Sequence, residues 1–151
     1  MDIFVQKIFT ISRLHGISEK NIEEHLKLYE GYVNNANLIL KKIKEYEEHA
    51  EKNFYVIAEL QRRFAFEFDG MRNHEYYFRS LEGKPARLPF ANTLTYALEK
   101  EWGSMDNFID KFKTIAMTRG VGWAMLYYDK DSDHLLTAWV EEQHLGHLTG
   151  L

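Results

Sequence analysis

Cysteine is absent from this sequence. Disulfides, thiolate zinc sites, iron–sulfur clusters and a cysteine nucleophile are excluded with it. Proline is scarce: there are two, Pro85 and Pro89, and they sit together. No segment is long and apolar enough to span a membrane, so no membrane contact is expected. The N-terminal stretch from Met1 to Leu14 mixes apolar residues with Asp2, Gln6, Lys7 and Arg13, unlike the apolar run of a signal peptide. The expectation is a soluble, cytoplasmic protein. Charge of one sign is not concentrated either. The net charge is −4 and Lys and Arg are spread along the chain, without the basic footprint of a nucleic-acid binder. No repeat or low-complexity segment is visible. What is present is core-forming material: 45% of the 151 residues are hydrophobic and 15% are aromatic. A chain of this kind folds, and ring packing carries much of its core.

The clearest break is Glu82-Gly83-Lys84-Pro85-Ala86-Arg87-Leu88-Pro89. It divides the chain into a helical hairpin domain, 1–84, and a partial C-terminal α/β domain, 85–151. In the first, Ser18 is an N-cap candidate with Glu19 in the first turn. Apolar residues follow at Ile22, Leu26, Tyr29, Val33, Ala36, Leu40 and Ile43, in steps of four and three that mark one helix packed along another. This helix runs for about 30 residues, or roughly 45 Å. A second helix is expected from about Asn53 to Leu81, with Ile57, Leu60, Phe64, Phe68, Met71, His74, Phe78 and Leu81 as its stripe. Gly70 interrupts that stripe and marks either a kink or a close approach. Two such helices in succession form an antiparallel hairpin. The spacing of Phe4, Ile8, Ile11 and Leu14 predicts a short helix lying on it.

Beyond the break, Leu94, Ala97, Leu98 and Trp102 suit a short helix ending near Gly103. Ser104 caps the next, with Phe108, Ile109, Phe112, Ile115 and Ala116 facing inward. The run from Trp123 to Tyr128 reads as a buried strand, Asp129 to Asp133 as a turn, and Leu135 to Val140 as the antiparallel partner. The fold class is therefore α+β: a long antiparallel α-hairpin, then a layer of helices on an incomplete antiparallel sheet of two strands.

Of the seven histidines, His15, His49 and His134 fall at loop or exposed positions. His74 lies in the apolar stripe of the second helix. By spacing alone it reads as a core histidine. His25 lies beside the seam of the first helix, and Tyr32 follows seven residues later. Seven steps of about 100° return to within roughly 20° of the starting direction, so His25 and Tyr32 share a face. Together, an imidazole from each of two facing helices can reach one metal ion, although a redox site needs a further carboxylate or imidazole.

Gly31-Tyr32-Val33-Asn34-Asn35-Ala36-Asn37 resembles the first-helix motif of iron/manganese superoxide dismutases. Asn73-His74, followed by Tyr77-Phe78, resembles that family's Asn-His-x-x-Phe-Trp motif. Phe108 to Phe112, the run from Arg119 to Ala124 and the strand hairpin are similar, in order, to its C-terminal layer. The matches run from about Gly16 to His147. The resemblance implies disproportionation of superoxide to dioxygen and hydrogen peroxide at one iron or manganese ion per subunit. It implies His25 and His74 as metal ligands, Tyr32 as the gateway tyrosine and Trp123 as an aromatic wall. Gln143, or His144 if the register shifts by one, would hydrogen-bond the metal-bound solvent. Superoxide anion is the implied partner, with a homodimer or homotetramer as the implied assembly.

Two departures are visible. His25 lies one residue closer to Tyr32 than the family's ligand does, which leaves Glu24 as an alternative. The family's Asp-x-Trp-x-His-x-Tyr-Tyr segment, which carries its other two ligands, has no counterpart before Leu151. The expectation is thus a C-terminally truncated member that does not hold metal at full affinity. The competing reading is a non-catalytic scaffold or partner-binding protein derived from the same fold. His144 and His147, three residues apart, are a further candidate pair for rebuilding the site.

Overall fold

The structure, a computed structural model, describes residues 3–83 and 92–148. The proline-containing part of the break, residues 84–91, lies outside the described residues. The chain divides into two compact units, Met1–Lys84 and Pro85–Leu151.

The first unit is built on α1 (Glu19–Glu47) and α2 (Ala50–Ser80). Ser18 caps α1 by accepting a hydrogen bond from the Asn21 backbone N–H at 3.1 Å. Such a cap contributes about 1 kcal/mol. The predicted seam faces inward: Ile22, Tyr29, Val33 and Ala36 are buried, and Leu26, Leu40 and Ile43 are partly so. At the hairpin turn, the Asn53 side-chain amide donates to the Tyr46 carbonyl at 3.2 Å and ties the start of α2 to the end of α1. Tyr29, Val33, Met71 and Phe78 form the core between the helices.

The segment before Gly16 corrects one expectation. It forms no helix and touches Glu82 through one isolated antiparallel bridge at Ile11. Its backbone groups are taken by hairpin side chains instead of by helical partners. Asn37 clasps it, with Oδ1 accepting from the Ile3 and Phe4 N–H groups at 3.0 and 2.9 Å and Nδ2 donating to the Phe4 carbonyl at 2.8 Å. The Tyr29 hydroxyl accepts from the Lys7 N–H at 2.9 Å, and Glu82 accepts from the Thr10 N–H at 2.7 Å. Consequently Phe4 and Phe9 pack inward, while Ile8, which a helix would have buried, is 95% exposed. The clasp also gives the last asparagine of the Tyr32–Asn37 run a structural duty.

In the second unit, α3 (Thr93–Trp102) is capped by Asn92, which accepts from the Thr95 N–H at 2.7 Å. It ends at Gly103, whose φ of 80° favours glycine. Ser104 then caps α4 (Met105–Ala116) by accepting from the Asn107 N–H at 3.1 Å. On α4, Phe108, Phe112 and Ile115 are partly buried, whereas Ile109 and Ala116 are exposed, so the inward face is narrower than predicted. Strands β1 (Gly122–Asp129) and β2 (His134–Glu141) form one antiparallel pair, with Trp123 opposite Val140 and Tyr128 opposite Leu135. β1 is half-buried, not fully buried as its apolar run suggested, because a two-stranded sheet leaves much of each strand uncovered. Leu98 of α3 and Leu135 and Val140 of β2 are the buried apolar residues of this unit among those described.

Candidate metal centre

The hairpin brings His25, near the start of α1, against His74, near the end of α2. Their ring centroids are 4.8 Å apart and nearly perpendicular, at 83°. Tyr32 joins them from α1, its ring 5.0 Å from that of His74 and tilted by 34°. Tyr77 and Phe78 stand beside His25 at 5.2 and 5.3 Å. The three sequence candidates on the hairpin therefore form one cluster. Glu24 points elsewhere: its exposed carboxylate pairs with Lys27 at 2.8 Å.

His74 is only 3% exposed. Burial, opposed by its bond to Gly70 and reinforced by the neighbouring His25, lowers its pKa to about 4. Burial lowers the pKa of His25 as well. Both rings are therefore neutral near pH 7, the state in which imidazole ligates a metal. His74 Nδ1 lies 2.6 Å from the Gly70 carbonyl oxygen. A carbonyl only accepts, so Nδ1 carries the proton and Nε2 presents the lone pair. A hydrogen bond to the second ring nitrogen is the usual way in which a ligand histidine is oriented.

Behind the cluster lies a buried ionic group that sequence reasoning missed. Glu75, 4% exposed, receives Lys7 Nζ at 2.5 Å, Arg72 at 2.7 Å and the Tyr29 hydroxyl at 3.2 Å. Burial pushes its pKa up, but the bonds and charges of Lys7 and Arg72 outweigh this and hold it low. The only hint in the sequence is a glutamate placed directly after a stripe residue.

In the second unit, Gln143 and His144 lie in the turn after β2, closed by backbone bonds between Glu141 and Leu145 at 2.9 and 3.2 Å. Gln143 is buried, and its Oε1 accepts from the Trp123 indole N–H at 2.9 Å. That bond fixes the amide orientation and directs the Gln143 NH2 as a donor. His144 is half-buried. His147 Nδ1 lies 2.7 Å from the Tyr127 hydroxyl. Among the described residues, no group of three or more His, Cys, Asp or Glu is placed to hold a metal ion. The pair of neutral imidazoles fits an iron or manganese ion as part of a donor set, not as a whole one.

Residues 15–82 match the alpha-hairpin domain of iron/manganese superoxide dismutases, and residues 90–150 match the C-terminal domain of the same proteins. The chain belongs to the iron/manganese superoxide dismutase family. It is 33% identical over 120 residues to a mitochondrial manganese superoxide dismutase of Eptatretus stoutii, covering 79% of this chain and 81% of that protein. It is 30% identical over 142 residues to the mitochondrial manganese enzyme of Glossina morsitans morsitans, covering 91% of this chain and 64% of the relative. An iron superoxide dismutase of Saccharolobus solfataricus is 31% identical over 137 residues, covering 87% and 64%. The chain thus spans 64% of the length of the last two relatives. Superoxide dismutases named for iron and for manganese both appear among these similar proteins, so family membership does not choose between the metals.

Proposed function

We propose that this protein disproportionates superoxide at a single iron or manganese ion, with His25 and His74 as two of the ligands. The observation that carries the reading is the juxtaposition of two neutral imidazoles, one from each hairpin helix, in a chain of this family. Bound iron or manganese supplies the redox couple: one superoxide loses an electron and leaves as dioxygen, and a second gains it and, with two protons, leaves as hydrogen peroxide. The protein's own residues position and protonate. The Gly70 carbonyl holds His74 in the tautomer that offers Nε2. Tyr32, beside His74, is the candidate gateway and proton relay. Gln143, its amide set by Trp123, is the candidate hydrogen-bond donor that tunes the reaction, in preference to the less buried His144. Superoxide is the substrate, the cytoplasm the location, and a homodimer or homotetramer the assembly in this reading.

The 151-residue chain supplies these two ligands without a third among its described residues, so it should take up iron or manganese weakly. The test pairs this chain with one extended through an Asp-x-Trp-x-His segment. The extended protein should bind one metal per subunit and consume superoxide, and His74→Ala should abolish both. Near-stoichiometric metal in the 151-residue chain would contradict the incomplete ligand set. An extended protein with neither metal nor activity would leave the scaffold reading in its place.

A further inference from the structure

Gly70 stands in the interior of α2, which runs through it without a break. A glycine there is a cost, because it loses more backbone freedom on folding than alanine would. It neither ends the helix nor adopts a positive φ. Its value lies in what a side chain would strike. A Cβ at this position would fall 2.5 Å from Tyr32 Cδ1, 2.6 Å from Cε1 and 3.0 Å from Cγ. Those atoms belong to a rigid ring lying across the helix backbone, so no rotation of a chain end relieves the clash. The carbonyl of the same residue receives His74 Nδ1 at 2.6 Å. One residue therefore touches both groups, through its missing side chain on one side and its carbonyl on the other.

We propose that Gly70 is a positioning residue of the site: its bare Cα is the notch that seats the Tyr32 ring beside His74, while its carbonyl sets the His74 tautomer. The functional half of this inference rests on the assignment of Tyr32 and His74 to the reaction; the geometric half does not. Alanine at 70 keeps the helix and the carbonyl but fills the notch. It evicts Tyr32 and leaves the His74 bond in place, so the two duties are separable.

A double-mutant cycle tests this. Gly70→Ala in the wild-type chain should lower Tm by several degrees. In a Tyr32→Ala chain the same substitution should leave Tm unchanged or raise it, because only the helix preference for alanine then remains. Should Gly70→Ala alone fail to fold, recovery of folding by adding Tyr32→Ala carries the same conclusion. Equal destabilisation, or failure to fold, in both backgrounds overturns the inference. Ring-to-ring NMR contacts between Tyr32 and His74 should disappear in Gly70→Ala while His74 retains its proton on Nδ1; persistence of those contacts also overturns it. In the extended protein, Gly70→Ala and Tyr32→Phe should shift the pH profile of superoxide consumption in the same sense, and together no further than either alone. A non-additive thermal cycle in a protein without superoxide chemistry would refute the function and keep the notch. An additive cycle in an active enzyme would do the reverse.

Discussion

His74 has a titratable ring in a place where charge is costly. Its folded pKa of about 4 lies below the ordinary 6.5, so between these values the unfolded chain binds more protons than the folded one. Stability therefore rises with pH across that window and is lost as pH falls from 6.5 toward about 4. For the metal-free protein the loss is on the order of 3 kcal/mol. Urea unfolding at a series of pH values should show this slope, and His74→Gln should flatten it. Face arithmetic was enough to pair His25 with Tyr32 and to place His74 on the inward stripe. The part Gly70 plays was half legible: a close approach was one of its two readings, but the approaching ring comes from another helix. Gln143 gained its partner through the fold as well, since Trp123 lies 20 residues away in sequence.

At the scale of elements, the long helices were legible because their seams repeat over many turns and Ser18 marks the start of α1. The N-terminal segment was not, because Phe4, Ile8, Ile11 and Leu14 satisfy a helical spacing by coincidence. Its conformation is decided by Asn37 and Tyr29, which lie 33 and 22 residues away in sequence from the backbone groups they bind. Removing that clasp with Asn37→Ala should cost about 2 kcal/mol, given roughly 1 kcal/mol for each of the two part-buried bonds to Phe4 and little for the exposed bond to Ile3. Hydrogen exchange at the Ile3 and Phe4 amides should accelerate more than exchange in the hairpin core. Glu75 was illegible for the same reason, with Lys7 68 residues away and Tyr29 46. Glu75→Gln leaves Lys7 and Arg72 facing a neutral amide. A fully buried pair broken this way costs 3–5 kcal/mol, but both cations are partly solvated, so about 2 kcal/mol is expected from denaturant midpoints.

Across the whole molecule, the order of elements followed from the change of hydrophobic period after the proline pair: helical stripes before it, then short helices and a strand hairpin. The sequence read two strands, and the structure pairs the same two. What periodicity could not supply is a site, since metal ligation depends on side chains that converge from separate helices. Family membership is shown by both halves of the chain, and the hairpin contributes two neutral imidazoles.

The proposed chemistry requires His25 and His74 to act together on one metal ion. The most direct measurement is a manganese(II) titration of the metal-free 151-residue chain, followed by NMR of its histidine rings. The ion is paramagnetic and broadens the resonances nearest to it. His25 and His74 should broaden together, before His15, His49 and His134, and His74→Ala should remove the effect at His25. Broadening that begins at those other histidines, or that survives His74→Ala unchanged, would contradict it.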